Sequence, residues 1–333
     1  MRARFAGLVG LVGAIAATVG PEAVGQPSAP KPVWAFAHDL RVRKGGEKDF
    51  TPETPKVGVE FFKDEAGGAL VAVTQVGDLE VVPAVQVGAE KKAAWLFAHD
   101  LRARKGDEEK FTASTTKYGV EAFKDTATGK ILYVSEKATV ALADAPGSVA
   151  ADKEPAWHHA LVLKVRGPNE KEWANARKFG VEAFKDGNTG GLIYVTETGS
   201  LACLPAPPQP PAPDKVKPPT ALYGLELRVR KADEPDFTGN TKKVGVEVFR
   251  DENTGGLLYI SETGSVAAVP APAQVKSGGG VDWRHAMTLK ARPGGVNEFE
   301  KANKFGVEVF QDKNTGYLVY ASETGAIAVL AKK

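Results

Sequence analysis

The chain repeats one pattern of apolar and polar positions, and each copy opens with a strict two-residue alternation. The first copy sets Trp34, Phe36, His38, Leu40 and Val42 against Ala35, Ala37, Asp39, Arg41 and Arg43. The last copy alternates in the same way from Trp283 to Arg292. A period of two predicts a β-strand with one face buried and the other in water.

A nine-residue word follows each opening strand. The five copies are KVGVEFFKD from Lys56, KYGVEAFKD from Lys117, KFGVEAFKD from Lys178, KVGVEVFRD from Lys243 and KFGVEVFQD from Lys304, spaced by 61, 61, 65 and 61 residues. A turn, an apolar run, a second turn and a closing apolar segment come after each word, which indicates two successive hairpins. Each repeat therefore predicts about four antiparallel strands. An optional short helix precedes the word in the third and fifth copies, where helix breakers are few.

The repeats define the domain organisation. We assign repeats to residues 34–83, 95–143, 157–205, 222–270 and 283–331. The segments between them are rich in Pro and Ala, and residues 206–221 form a Pro-rich linker, whose prolines favour an extended spacer.

The sequence thus predicts a mainly β protein of five tandem modules of about fifty residues each. The favoured arrangement is separate modules on a string, because the second face of the opening strand carries cation pairs such as Arg41 with Arg43, which are costly to bury without partners. The alternative is a closed five-bladed propeller, since four-stranded repeats of this size suit that fold.

Residues 1–25 have the features of a secretory signal peptide. A basic head at Arg2 and Arg4 precedes an uncharged apolar run from Phe5 to Val19, and small residues follow. No later stretch is apolar for long enough to span a bilayer, so we expect an exported mature chain without a transmembrane span, in the periplasm or outside the cell.

Composition narrows the classes of partner and cofactor. The 333 residues carry a formal charge of only +2, which gives no global field for nucleic acid. A single cysteine, Cys203, excludes an intramolecular disulfide and any Cys-rich metal site. We find no cofactor-binding motif and expect no cofactor, metal or nucleic-acid partner.

Several polar residues recur and need a structural or a catalytic explanation. They are the word acids Glu60, Glu121, Glu182, Glu247 and Glu308, a second set at Glu136, Glu197, Glu262 and Glu323, and the histidines His38, His99, His158, His159 and His285. Paired acids suit glycoside hydrolysis, but five similar copies favour a structural role over one asymmetric catalytic pair. The Asp-x-Asn-x-Gly segment at Asp186 resembles the start of a calcium loop and is better explained as a tight turn.

The outward cations are the best candidates for recognition. This candidate anion-contact face comprises Arg41, Arg43, Arg102, Arg104, Lys164, Arg166, Arg228, Arg230, Lys290 and Arg292. Repeated weak contacts to an anionic glycan or cell-surface polymer would add up through multivalency. The leading hypothesis is therefore a non-enzymatic binding or scaffolding protein of the cell envelope or extracellular space. A secreted propeller-type polysaccharide hydrolase and a purely structural spacer are the alternatives.

Overall fold

The computed structural model describes residues 31–205 and 215–331. Twenty strands lie in these two ranges, and they fall into five sheets that coincide with the five repeats. The predicted signal peptide and most of the Pro-rich linker lie outside the described residues.

Each sheet has four strands. Blade 1 contains β1 (Val33–Arg41), β2 (Lys56–Asp64), β3 (Ala69–Thr74) and β4 (Leu79–Pro83). Blade 2 contains β5 (Ala93–Ala103), β6 (Thr116–Asp125), β7 (Lys130–Ser135) and β8 (Val140–Asp144). Blade 3 contains β9 (Ala156–Val165), β10 (Arg177–Lys185), β11 (Gly191–Thr196) and β12 (Leu201–Pro205). Blade 4 contains β13 (Thr220–Val229), β14 (Lys242–Arg250), β15 (Leu257–Ser261) and β16 (Val266–Val269). Blade 5 contains β17 (Val281–Ala291), β18 (Asn303–Asp312), β19 (Leu318–Ser322) and β20 (Ile327–Leu330).

All pairings are antiparallel between consecutive strands, so each blade is a simple meander built from one continuous segment. The turns between strands use glycines with positive φ, such as Gly190 at +78°, as the Asn-Thr-Gly segments predict. The predicted helix in the third and fifth repeats is a single 3₁₀ turn, at Trp173–Asn175 and Phe299–Lys301.

The fourth strands contact one another in a closed ring, in the order β4, β8, β12, β16 and β20 and back to β4. They therefore surround the axis, and the opening strands lie at the rim. Five sheets radiating from one axis form a five-bladed β-propeller. No helix in the described part of the chain has the length and apolar character needed to cross a membrane.

The apolar core lies between blades rather than within them. Five clusters of buried side chains each combine two neighbouring blades; one of them joins Phe36 and Phe61 of blade 1 to Phe123 and Leu132 of blade 2. The inner strands are buried on both faces, and all six residues of β3 are buried. The opening strands keep the predicted alternation, with Leu40 buried and Arg41 exposed, because neighbouring blades diverge towards the rim.

The modules are thus docked, whereas the sequence favoured separate ones. That preference came from the opening strand, which has one solvent-exposed face. Only the strands at the rim have such a face, and the inner strands are buried on both sides. The cost of burying cations is avoided because only the second cation of each pair enters a blade boundary, where the next blade supplies a carboxylate.

The glycine of each repeated word lets neighbouring blades approach closely. A Cβ on Gly119 would overlap the backbone carbonyl of Arg43, and one on Gly180 would overlap that of Arg104. The same holds at all five boundaries, so the backbone that follows each cation crosses directly over the next blade's word. Close packing between blades therefore requires glycine at this position of the word.

We expect an isolated blade not to fold. A fragment of residues 281–331 would expose both apolar faces of blade 5, so it should show no cooperative thermal transition by circular dichroism. A circular permutant that joins residue 333 to residue 26 and opens within residues 206–214 keeps every boundary and should melt cooperatively. A cooperative melt of the fragment would contradict the docked core.

Candidate functional site: the inter-blade rim clusters

An arginine of each blade pairs with the word glutamate of the next blade. The Nε–Oε1 distances are 2.7 Å for Arg43–Glu121, 2.6 Å for Arg104–Glu182, 2.6 Å for Arg166–Glu247, 2.6 Å for Arg230–Glu308 and 2.5 Å for Arg292–Glu60. The last pair closes the ring between blades 5 and 1. All five glutamates are buried, and the arginine side chains keep a small exposed fraction. Buried carboxylates in this geometry form strong charge-assisted hydrogen bonds.

A tryptophan of the opening strand donates to the second oxygen of the same glutamate. Its indole Nε1 lies near Oε2, at 2.7 Å for Trp34–Glu60, 2.6 Å for Trp95–Glu121, 2.8 Å for Trp157–Glu182 and 2.6 Å for Trp283–Glu308. Register places Trp95 opposite Phe123, and Ala221 holds the equivalent place opposite Phe249 in blade 4. Four boundaries therefore have the tryptophan, and the boundary between blades 3 and 4 does not.

The aromatic residue of the loop between the first two strands packs on the arginine. The guanidinium carbon lies 4.5 Å from the ring centroid of Phe50 at Arg43, 4.6 Å from Phe111 at Arg104, 4.7 Å from Trp173 at Arg166, 4.5 Å from Phe237 at Arg230 and 5.7 Å from Phe299 at Arg292. Such cation–π contacts hold both groups in place. We call each set of arginine and loop aromatic from one blade with glutamate and tryptophan from the next a rim cluster.

Open clefts lie beside the rim clusters. Their volumes are about 500 Å³ between blades 2 and 3, about 340 Å³ between blades 3 and 4 and about 360 Å³ between blades 4 and 5. The first of these is lined by residues 104–109 of blade 2 and by Ala160 to Val162 of β9 in blade 3. Equivalent segments line the other two clefts.

The structure divides the ten predicted contact cations into two groups. The second member of each pair, namely Arg43, Arg104, Arg166, Arg230 and Arg292, is engaged in a rim cluster and does not belong to a freely solvated face. The first member remains outward at the rim, with Arg41, Lys164 and Arg228 exposed and Arg102 and Lys290 partly exposed. Backbone alternation made both look equivalent, but only the second lies beside the neighbouring blade.

The second set of acids anchors the loops of the preceding blade. Oε2 of Glu136 accepts from the Gly45 amide at 2.6 Å, and Oε2 of Glu197 accepts from Gly106 at 2.7 Å. Gln75 does the same with Gly294 at 2.6 Å, because an amide oxygen accepts equally well. Oε2 of Glu323 accepts from the Ala232 amide at 3.1 Å. The donor position at the fifth boundary, between blades 3 and 4, is Pro168, which has no amide hydrogen. Burial raises the pKa of Glu262 there.

A ring of buried aspartates is the main feature that sequence reasoning missed. The last residue of every word is a buried aspartate. These are Asp64, Asp125, Asp186, Asp251 and Asp312. Each accepts a hydrogen bond from the preceding blade, from Nε2 of His38, His99, His159 or His285 at 2.9–3.1 Å, or from Oη of Tyr223 at 2.6 Å. Tyr223 thus replaces the histidine that the fourth repeat lacks.

A second donor reinforces four of the five aspartates. Tyr133 Oη lies 2.5 Å from Asp186, and Tyr194, Tyr259 and Tyr320 make the same contact with the aspartate of the next blade. Burial by itself raises the pKa of Asp186, but the hydrogen bonds from His99 and Tyr133 outweigh it and bring the pKa below its usual range. The invariant aspartate in five copies was the available signal, yet the word was interpreted as a strand ending in a turn.

The aspartates also account for the segment that resembles a calcium loop. Oδ1 of Asp186 accepts from the Asn188 amide at 2.8 Å, and Oδ2 accepts from Thr189 Oγ1 at 2.8 Å, which is a turn closed on its own carboxylate. Within residues 31–205 and 215–331 no three His, Cys, Asp or Glu side chains converge as they would around a metal ion.

Hydroxyl groups surround one mouth of the axis. A cavity of about 150 Å³ is lined by the last turns of all five blades, including Thr139, Ser200, Ser265 and Thr324. Asp78 is the one carboxylate in this lining, and its Oδ2 accepts from the Val140 amide at 2.8 Å. Burial raises the pKa of Asp78 to about 7. Burial and then the repulsion of Asp78 raise the pKa of Glu80, which lies two residues further on in β4.

Breaking a rim cluster should destabilise the whole ring. Glu121→Ala leaves Arg43 without its counter-ion and Trp95 Nε1 without its acceptor, which costs about 3 kcal/mol in the free energy of unfolding. Glu121→Gln keeps one acceptor oxygen and should cost less. Chemical denaturation measures both, with the exposed Glu53→Ala as the control, which should stay within about 0.5 kcal/mol of the parent. A loss below about 1 kcal/mol for Glu121→Ala would show that the pair is dispensable.

Asp78 should make the protein less stable as the pH rises. Its folded-state pKa of about 7 lies above the unfolded value of about 3.9, so the folded state holds the proton more tightly and stability falls between about pH 4 and pH 7. Asp78→Ser should flatten that slope and stabilise the protein at pH 8 by up to about 4 kcal/mol. Serine at the equivalent Ser200 accepts the neighbouring amide in the same way, at 3.1 Å.

Thermal melts from pH 4 to pH 8 measure this effect. The exposed Asp152→Ser provides the control, and its melting profile should follow the parent at every pH. An unchanged slope in Asp78→Ser would mean that the carboxyl group is ionised throughout this range.

Comparison of the chain with protein-family models, with curated proteins and with solved structures gives no match.

Proposed function

We propose that the chain is an exported, non-enzymatic binding or scaffolding protein whose rim holds an anionic polymer such as an acidic glycan. The observation that carries the proposal is the recurrence of one outward-facing arrangement from blade to blade. Each arrangement combines an exposed or partly exposed cation with a rim cluster, which includes the loop aromatic. Clefts accompany three of these arrangements. Export rests on the signal-peptide pattern of residues 1–25.

The five-fold repetition supports multivalent binding. Each site offers one outward cation, three of the five also have a cleft, and a single such contact to a polymer is weak. Five of them on a rigid ring act on one polymer at high effective concentration, which raises the overall affinity without any new contact.

The engagement of the recurrent acids also supports a non-enzymatic function. The word glutamates hold an arginine and, at four boundaries, an indole, and the second set of acids holds backbone amides. A glycosidase needs one carboxyl group free to donate a proton and another free to attack or to activate water.

A propeller-type polysaccharide hydrolase is the second candidate, favoured by Asp78 and Glu80. These acids occur in blade 1 alone and have raised pKa values; Asp78 lines the axial cavity, and Glu80 follows it in β4. Raised pKa values at a cavity are typical of catalytic acids. Release of reducing sugar from polygalacturonate that disappears in Asp78→Ser would favour this candidate over the binding protein.

Binding of an anionic polymer should depend on the five outward cations. Changing Arg41, Arg102, Lys164, Arg228 and Lys290 together to glutamine should weaken binding to immobilised polygalacturonate at least about tenfold, because every site loses its outward charge. Surface plasmon resonance at two salt concentrations measures the loss, which should shrink at high salt.

A matched control removes five charges from the linkers, with glutamine at the exposed residues Lys92, Lys153, Lys215, Lys217 and Lys276. This control has the same net charge and should bind within about threefold of the parent. Equal weakening in both variants would point to nonspecific attraction, and an absence of binding by the parent would count against the proposal itself.

A further inference from the structure

The large apolar side chains exposed by the described residues are concentrated in the rim clusters. Of the ten that are exposed, seven belong to these clusters: Trp34, Phe50, Trp95, Phe111, Trp157, Trp173 and Phe237. Trp34 and Trp95 leave nearly half of their surface in water, at 48% and 49%. Exposed apolar groups gathered at equivalent places mark interaction sites more often than scattered ones do.

The tryptophan rings are held rigidly even though they are exposed. Trp95 is fixed by the 2.6 Å hydrogen bond from Nε1 to Glu121 and by edge contact with Phe50, at 6.1 Å between ring centroids. Because Nε1 and the carboxylate are already engaged with each other, the ring offers a ligand its face rather than its polar group. A rigid ring loses little conformational entropy when a ligand stacks on it.

An outward cation lies close to the loop aromatic in blades 4 and 5. Arg228 Cζ is 5.3 Å from the ring centroid of Phe237, which in turn is 6.2 Å from that of Trp283. Lys290 Nζ is likewise 5.3 Å from the Phe299 ring. The boundary between blades 4 and 5 therefore presents, in order, a cation, a phenyl ring and an indole.

This order suits one chemical class of ligand. A uronic acid has a ring face of C–H groups, whose positive ends are attracted to the negative face of an indole, and it also has a carboxylate for the cation. A polyanion without sugar rings would use the cations alone. We infer, on the basis of the proposed function, that the rim tryptophans stack on the sugar rings of an acidic glycan and that four sites per chain do so.

The boundary between blades 3 and 4 is the exception that makes the inference testable. Ala221 stands where the other blades have tryptophan, so Glu247 receives the Arg166 Nε at 2.6 Å on Oε1 and has no indole donor for Oε2. A tryptophan at position 221 would find both an open rim position, since Ala221 is exposed, and the acceptor that its indole needs.

The experiment is titration calorimetry of the full-length chain with trigalacturonate. The parent should bind four equivalents, and Trp95→Ala should bind three. Ala221→Trp should bind five, because it completes the missing cluster. Trp95→Phe keeps an aromatic face and should retain four equivalents at reduced affinity, and thermal melts confirm that each variant is folded.

Two further ligands distinguish stacking on sugar rings from anion binding alone. Polyglutamate has the charge but no sugar ring and should bind at least tenfold more weakly than polygalacturonate; neutral dextran should not bind measurably. Binding of polyglutamate and polygalacturonate with equal affinity, or five equivalents of trigalacturonate in the parent, or four in both Trp95→Ala and Ala221→Trp, would overturn the stacking inference and leave the anion-binding function standing. Binding of neither polyanion would overturn both.

Discussion

Both faces of the inner strands of every blade are apolar, and the rest of the structure depends on covering them. A four-stranded sheet of about fifty residues cannot bury two faces against itself. Each blade therefore buries its two apolar faces against its neighbours. The fifth blade must pack against the first, because an open array would leave one apolar face exposed to solvent at each end. The five clusters of buried side chains, each shared by two blades, are the result.

Apolar contacts are not directional, so they do not determine how one blade is positioned on the next. The buried polar contacts determine that position. Each boundary has an arginine–glutamate pair towards the rim and an aspartate that accepts from histidine or tyrosine within the sheets. These groups are costly to bury without partners, so a shifted or rotated blade would leave several of them unpaired. Where one repeat lacks a donor another appears, as Tyr223 does for the missing histidine.

The same requirement shapes the surface on which function is proposed. Blades diverge from the axis, so the contacts that close each boundary at the rim remain partly wet and expose the aromatic rings that complete them. The glutamate, arginine and tryptophan of a rim cluster thereby fix an outward surface. Beside it lies the outward cation of the opening strand, which is not part of the arginine–glutamate pair. Repetition of the blade repeats this surface around the ring. The axis differs, because Asp78 and Glu80 occur in one blade only.

The sequence by itself determined the number of repeats, the four-stranded meander, the half-buried opening strand and the glycine turns, because these follow from local periodicity and turn chemistry. The tertiary structure alone decided that the repeats dock, which of the two outward cations enters a boundary, and that the aspartates at the ends of the words form a ring. Arg43 and Glu121 are 78 residues apart, and His285 and Asp64 are 221 apart. Contacts at such separation arise only when five sheets close around one axis. An alternation of period two places Arg41 and Arg43 on the same face of the strand, but it does not show which of them contacts the neighbouring blade.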